Sequence, residues 1–107
     1  MSAALPAPVA AIVAAANAGD TAAFLAAFTP DGVVDDWGRE FHGANEIAAW
    51  SNAEFIGVAV TLTVDDVDQG GETTVVSATV GGNGFNGPSR FSFEVVGGLV
   101  SRMTIRA

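Results

Sequence analysis

A chain of 107 residues, half of them hydrophobic, suits one small domain with a single core, and we take residues 1–107 as that domain. The absence of cysteine excludes a disulfide scaffold, a thiol nucleophile and a cysteine-ligated zinc site. Four arginines against twelve carboxylates give a formal net charge of −8. We therefore expect neither a nucleic-acid partner nor a membrane partner, because both are bound through clustered cations.

Two helices are predicted at the start of the chain. Apolar residues recur at helical spacing across residues 5–16, and Gly19 is typical of a helix end. Asp20 is a suitable N-cap for a second, shorter helix, to which Phe24 and Phe28 give an apolar side.

The apolar residues 10–18 resemble the core of a secretory signal, but no cation precedes them. No stretch approaches the ~18 strongly apolar residues that a membrane span needs. We expect a cytoplasmic protein.

The middle of the chain predicts a turn, a hairpin and a third helix. Residues 29–32 read Thr-Pro-Asp-Gly, which is typical of a turn. Residues 33–37 predict a strand and residues 39–42 its short return. A helix over residues 44–55 would place Trp50 on its apolar face.

After Gly57 the hydrophobic period changes from 3.6 to 2, which predicts four long antiparallel strands beginning at Val58. For the last hairpin we favour a three-residue loop over residues 96–98. It places Phe91 opposite Met103 and keeps apolar side chains on one face. The rejected alternative is a two-residue Gly-Gly loop.

The resulting sheet has one apolar face, and the three helices are its available cover. A twisted sheet wrapped around helices encloses a conical space suited to an apolar small molecule. The other face carries small, uncharged residues such as Thr61, Thr63, Ser77 and Thr79. This pattern favours a homodimer through the outer sheet face.

This order of elements resembles the nuclear transport factor 2-like superfamily, in its SnoaL-like and ketosteroid-isomerase-like branch. The resemblance is carried by residues 18–20, 28–36 and 41–43, by Trp50, and by the glycine-turned hairpin that ends at Met103. It implies a cone-shaped α+β fold with three N-terminal helices packed in the concave face of a strongly curved, mostly antiparallel sheet.

The resemblance leaves activity open, because the superfamily includes isomerases, cyclases, dehydratases, epoxide hydrolases and non-catalytic binding modules. In its ketosteroid isomerases a carboxylate near the end of the first strand shuttles a proton, and Asp36 matches that position. Those enzymes also use a tyrosine on the first helix and a protonated aspartate on a late strand. This chain has no tyrosine, Ile12 lies at the first position, and the second falls near Arg90 or Phe91. The familiar oxyanion hole is therefore absent, and no cofactor is implied.

Two residues are candidates for catalysis. Asp36 can act as a general acid or base inside the pocket, or it can instead cap the following bend or pair with Arg39. His42, the only imidazole, can assist Asp36 across the hairpin or lie at the surface. Asp35 has the opposite strand parity and is expected to face solvent. No metal site is expected, because there is no second histidine and no cysteine.

The large apolar residues are predicted to line the ligand pocket or to fill the core: Trp37, Trp50, Phe24, Phe28, Phe91, Phe93 and Met103. Phe85 lies in a glycine-rich segment that is either a simple connection between strands or a rim over the opening with Phe85 as a lid. Three functions stay open at this point. They are a small enzyme of isomerase, cyclase or dehydratase type, a non-catalytic ligand carrier, and a dimeric module whose pocket is filled by its own side chains.

Overall fold

The computed structural model of the chain describes residues 5–107, so the first four residues of the predicted domain lie outside the described residues. It contains three α-helices, a short 3₁₀ turn and six strands. In chain order these are α1 Ala7–Ala18, α2 Thr21–Ala26, β1 Phe28–Asp36, β2 Arg39–His42, α3 Gly43–Glu54, the 3₁₀ turn Ile56–Val58, β3 Thr61–Gly70, β4 Thr73–Gly81, β5 Gly87–Val96 and β6 Leu99–Arg106.

The strands form one curved sheet in the order β2-β1-β6-β5-β4-β3. Every neighbouring pair is antiparallel except β1 and β6, which run parallel. The helices cover one face of the sheet and close a single core over its apolar side chains. The predicted cone-shaped α+β fold is confirmed.

The predicted helix signals at the start of the chain are confirmed. Gly19 ends α1 with a φ of 69°, and the Asp20 carboxylate accepts a hydrogen bond from the backbone N–H of Ala23 in α2. The Asn17 side chain bonds both the N–H and the C=O of Leu62 in β3. This contact fixes the end of α1 against an edge strand.

The predicted turn at residues 29–32 is wrong, since β1 already begins at Phe28. Phe28 pairs with Val100 of β6, and the register then shifts before Val33 pairs with Arg102. Pairing with β6 therefore extends β1 through residues 29–32, although their sequence is typical of a turn. The extra residues form a bulge between Phe28 and Val33.

The third strand also begins later than the period-2 pattern predicts. Val58 lies in the 3₁₀ turn, and Ala59 has a φ of 55°, which an extended strand does not tolerate. The N–H of Val60 bonds back to the carbonyl of Phe55. The chain therefore turns sharply after α3 before it enters β3.

The preferred three-residue loop of the last hairpin is wrong. Val96 pairs with Leu99 across a two-residue glycine turn, and a bulge follows between Val95 and Glu94. The extra residue in β6 keeps the apolar side chains on one face, but Met103 lies opposite Phe93 and Phe91 lies opposite Ile105, so the predicted pairing of Phe91 with Met103 is also wrong. Through the same bulge, Glu94 pairs directly with Arg102.

Asp35 lies on the outer face as its parity predicts, but it is buried rather than solvated. The register places Arg102 and Arg106 on either side of its β6 partner, and both guanidinium groups cover the carboxylate. The hydrogen bond from Arg106 holds the pKa of Asp35 below its ordinary value, against the raising effect of burial. Bonds from the Gly38 N–H and from Arg102 act in the same direction as that from Arg106.

The outer face of β3 and β4 carries the expected small residues, with Thr61, Thr63 and Thr79 exposed. It is not free of charge, however. The Thr79 hydroxyl donates to the Asp65 carboxylate at 2.8 Å, so a carboxylate lies on this face through the bulge in β3.

Candidate functional site

A cavity of about 360 Å³ opens at the end of α3. It lies between that helix, the 3₁₀ turn, the β1–β2 turn, the loop before β5 and the inner face of the sheet. Most of its wall is apolar. The lining residues are Asp36, Trp37, Trp50, Ala53, Glu54, Phe55, Val58, Val60, Val80, Gly81, Gly84, Phe85, Ser89, Phe91 and Ile105.

Asp36 is one of two carboxylates in this wall, with Glu54. It is the last residue of β1, and its parity turns it to the inner face. Its Oδ2 accepts two hydrogen bonds, from Arg39 Nη2 at 2.6 Å and from Trp50 Nε1 at 3.1 Å. Among residues 5–107, no hydrogen bond ends on Oδ1. One oxygen is therefore held in place while the other keeps its lone pairs for a ligand.

Arg39 links the site to the end of α3. Its guanidinium donates to both oxygens of Glu54, at 3.0 and 2.7 Å, and lies over the Phe41 ring. The hydrogen bond from Arg39 lowers the pKa of Glu54, although desolvation opposes the shift. The single positive charge of Arg39 thus offsets half of the charge of the two carboxylates that face the cavity, Asp36 and Glu54.

Two exposed aromatic rings flank the mouth of the cavity. Trp37 and Phe85 are each 60 % exposed, unlike the other aromatic residues that line the wall. Trp37 has a φ of 54° and Gly38 a φ of 89°, the pattern of a tight type I′ hairpin turn. A bulky residue in this conformation is uncommon and strained.

The predicted pocket residues divide into two groups. Trp37, Trp50 and Phe91 line the cavity together with Asp36. The other four do not line it and instead fill the core beneath it: Phe24, Phe28, Phe93 and Met103. Phe55 lies between the two groups. Its ring stacks on Trp50 with the ring centroids 4.9 Å apart, and its centroid is 5.6 Å from that of Phe24.

His42 does not join Asp36. It pairs with Val33 at the far end of the β1–β2 hairpin, and its parity is that of the outer face. Its side chain is 59 % exposed, with Nε2 3.0 Å from a Glu40 carboxylate oxygen. The expected partnership fails because residues 36 and 42 occupy opposite faces of the hairpin, which strand parity alone could have indicated.

Sequence reasoning missed Glu54, Phe55 and Ser89 as wall residues. Ser89 is only 5 % exposed and follows the same inward parity as Phe91, so the alternation in β5 contained the signal. Glu54 and Phe55 reach the wall because the chain turns sharply after α3, and no sequence periodicity marks that turn.

Within residues 5–107, no group of three histidine, cysteine or carboxylate side chains could hold a metal ion. The described helices include none that is long and apolar enough to cross a membrane.

The fold is that of the nuclear transport factor 2-like proteins, with ketosteroid-isomerase-like structural neighbours. Within this class the chain belongs to the SnoaL-like domain family, whose model matches residues 9–103. No curated protein matches the sequence.

Several solved structures are similar over most of the chain. A candidate polyketide cyclase from Sinorhizobium meliloti is 28 % identical, with 95 % of each chain covered and a TM-score of 0.88. A protein of ketosteroid-isomerase-like fold from Catenulispora acidiphila, in complex with trimethylamine, is 21 % identical over 97 % of this chain and 87 % of its own (TM-score 0.82). A computationally designed 17-OHP binder is 16 % identical over 94 % and 88 % (TM-score 0.81).

Proposed function

We propose that this protein binds an apolar, ring-containing small molecule in the cavity and that Asp36 moves a proton on it. The reaction class is that of small isomerases, cyclases and dehydratases. One observation carries the proposal. A carboxylate with one anchored and one unoccupied oxygen faces a mostly apolar cavity of about 360 Å³.

The size and walls of the cavity support the ligand class. Small-molecule sites fall within roughly 300–1,000 Å³ and combine apolar walls with a few polar groups. Trp37 and Phe85 at the mouth offer exposed ring faces on which a flat ligand can stack. Contact between the ligand and the Trp37 ring would account for a tryptophan in this strained turn.

The arrangement around Asp36 supports proton transfer. Arg39 and Trp50 fix the carboxylate through Oδ2, so its orientation does not have to be established when a ligand enters. Oδ1 can accept a proton from a ligand carbon and return it elsewhere on the same molecule. A positioned general base of this kind contributes about 10²–10⁴ to a rate.

Names of similar proteins support the same class without fixing a substrate. The Sinorhizobium meliloti structure is named as a candidate polyketide cyclase, and the designed relative binds 17-OHP. Cyclisation and isomerisation each need one proton shuttle in a cavity from which water is excluded.

The experiment uses the two tryptophans of the chain, both of which line the cavity. Quenching of their fluorescence by β-naphthol, a flat aromatic probe, measures binding. Turnover is measured with the β,γ-isomer of cyclohexenone, whose conversion to the conjugated ketone raises its ultraviolet absorbance. We expect Asp36→Asn to lower the rate by about 10²-fold or more. The matched control Asp31→Asn, at an exposed position, is expected to leave it unchanged. Equal rates in wild type and Asp36→Asn would refute the proposal.

A second candidate, ligand binding without catalysis, is favoured by the short ion pair between Asp36 and Arg39. In that case Asp36 acts only as a hydrogen-bond acceptor. The prediction is that β-naphthol binds to wild type while the ketone is not converted, and that Asp36→Asn weakens binding.

We also propose a homodimer through the outer sheet face and a cytoplasmic location. The exposed threonines of β3 and β4 support the first. Light scattering of wild type and of a Thr63→Arg variant tests the dimer, since a buried arginine at the interface would yield monomers. Cell fractionation tests the location.

A further inference from the structure

The loop between β4 and β5 contains the same dipeptide twice. Asn-Gly occurs at residues 83–84 and again at residues 86–87, whereas the other three asparagines of the chain precede other residue types. An asparagine before glycine is especially prone to deamidation, because glycine has no side chain that hinders attack by its backbone nitrogen. The structure gives the two asparagines different surroundings, so their reactivity can be compared within one loop.

Asn86 is restrained at the group that leaves in deamidation. Its side-chain nitrogen Nδ2 donates hydrogen bonds to the carbonyl oxygens of Gly82 at 2.9 Å and of Gly84 at 3.1 Å. The residue that follows it, Gly87, is the first residue of β5 and is paired with Val80 of β4. Deamidation of Asn86 therefore has to break two hydrogen bonds and disturb a residue held in the sheet.

Asn83 has neither restraint. Its residue is exposed, and its side chain forms no hydrogen bond with any of residues 5–107. The N–H of the following residue, Gly84, likewise donates to no acceptor in the described part of the chain. The attacking nitrogen and the side-chain amide are therefore both available for reaction.

We propose that Asn83 is a site of spontaneous deamidation in the folded protein and that Asn86 is protected from it. The Gly84 nitrogen loses its proton to water and attacks the side-chain carbonyl carbon of Asn83. The new C–N bond closes a five-membered succinimide ring, and the side-chain nitrogen takes up a proton and leaves as ammonia. Water then opens the ring at either carbonyl, which gives aspartate or isoaspartate. Water is the co-reactant, and nothing is oxidised or reduced.

Both products alter the rim of the cavity. Each adds a negative charge, and isoaspartate also lengthens the backbone by one carbon atom, because the chain then runs through the side-chain carboxyl carbon. The packing leaves little room for this change. Gly84 lines the cavity, and a side-chain carbon placed on it would lie 2.9 Å from Val58 Cγ2. The N–H of Asn83 also donates to the carbonyl oxygen of Val58 at 2.8 Å.

The modification is therefore expected to loosen the contact between this loop and the 3₁₀ turn. Phe85, an exposed ring at the cavity mouth, directly follows Gly84 and is expected to shift with it. We expect the modified protein to bind β-naphthol several-fold more weakly than the unmodified protein. This effect on binding rests on the proposed function, whereas the modification itself is independent of it.

The test follows purified wild type over days at mildly alkaline pH, which favours loss of the Gly84 amide proton. Peptide mapping by mass spectrometry assigns each site, because deamidation replaces NH by O and heavy-oxygen water labels the new carboxylate. We expect Asn83 to convert about tenfold faster than Asn86, since the two hydrogen bonds of Asn86 must first break. In guanidinium chloride, where the chain is unfolded, the two sites should convert at similar rates.

Equal rates in the folded protein, faster conversion of Asn86, or no conversion of Asn83 would each overturn the proposal.

Two variants connect the modification to binding. Asn83→Gln keeps an amide but would have to close a larger ring, so it is expected to resist conversion and to keep its β-naphthol affinity during the incubation. Asn45→Gln, at an exposed asparagine of α3, is the matched control and should lose affinity as wild type does. Circular dichroism and melting curves verify that each protein is folded.

The outcomes separate the modification from its effect and from the proposed function. If Asn83 converts while β-naphthol affinity stays constant, the predicted effect on the rim is refuted and the modification is supported. If freshly purified wild type does not bind β-naphthol, the binding part of the proposed function fails, and the mass spectra still decide whether Asn83 is modified.

Discussion

Asp35 and Asp36 are neighbours in the chain, and their side chains are similarly buried, at 10 and 16 % exposure. Their surroundings differ completely. Both oxygens of Asp35 are occupied by donors from Gly38, Arg102 and Arg106. Asp36 is held through Oδ2 alone and faces the cavity.

The difference shows how one strand places two identical neighbouring side chains in unlike surroundings. Successive residues of a strand point to opposite faces, so a pair of identical side chains enters two environments. On the outer face, the carboxylate of Asp35 is saturated and joins β1 to β6. On the inner face, Asp36 keeps an acceptor site free, which a purely structural carboxylate does not need.

Exchanging each carboxylate for its amide gives the largest expected contrast. We expect Asp35→Asn to lower the free energy of unfolding by about 2 kcal/mol, because two arginines lose a charged partner in a partly buried site. Its turnover should stay near wild type. Asp36→Asn should show the reverse, with lost turnover and a smaller change in stability of about 1 kcal/mol or less, because its ion-pair partner Arg39 is largely exposed.

Urea unfolding followed by circular dichroism measures the stabilities, and the ketone assay measures the rates. A large loss of stability in Asp36→Asn, with little effect in Asp35→Asn, would contradict the division between the two faces.

The pH dependence of stability sharpens the same comparison. The Arg106 bond lowers the pKa of Asp35, and the Arg102 bond lowers the pKa of Glu40 beside it. A carboxyl group with a depressed folded pKa contributes stability above its unfolded pKa and loses it as the pH falls toward the folded value. We therefore expect the stabilising effect of Asp35 to decline below about pH 4.

Melting curves of wild type and Asp35→Asn from neutral to acidic pH test this expectation. Protonation also relieves the charge repulsion in a chain of net charge −8, and it does so in both proteins. The difference in stability between them at each pH therefore reports the contribution of Asp35. A difference in stability that stays constant down to the lowest pH would contradict the depressed pKa.

Periodicity and turn signals predicted the fold well. Gly19 and Asp20 marked the helix junction because their preference depends on local backbone conformation. The pattern failed at residues 29–32, at Val58 and at the bulge of β6. In each case pairing with a distant strand, or a turn imposed by packing, outweighed the local preference.

The candidate site was predictable only in part. Asp36, Trp37, Trp50 and Phe91 followed from strand parity and the family resemblance. The position of the cavity along the cone was not predictable, because apolar alternation does not tell a filled core from an open space. For that reason the sequence left pocket wall and core as alternatives for Phe24 and Phe93, which are core residues.

The strained turn at Trp37, beside Asp36, allows a substitution that is expected to stabilise the protein, by less than Asp35→Asn destabilises it. Asn-Gly is a favoured pair for a two-residue hairpin turn with positive φ, so Trp37→Asn is expected to stabilise the protein by about 1 kcal/mol. The same change removes a ring at the cavity mouth and should weaken β-naphthol binding several-fold. Urea unfolding and quenching of Trp50 fluorescence measure the two effects. Unchanged binding would show that the Trp37 ring does not contact the ligand.

The smallest effect is expected at His42, which shares the outer face with Asp35. The one side-chain hydrogen bond of its exposed ring among the described residues is with Glu40, so His42→Gln should change the free energy of unfolding by no more than about 0.5 kcal/mol. Because it lies on the face opposite to Asp36, both kcat and the pH profile of turnover should match wild type. A flattened pH profile of turnover in His42→Gln, with stability retained, would instead show that His42 takes part in proton transfer. It would contradict the expectation that only the inner face carries activity.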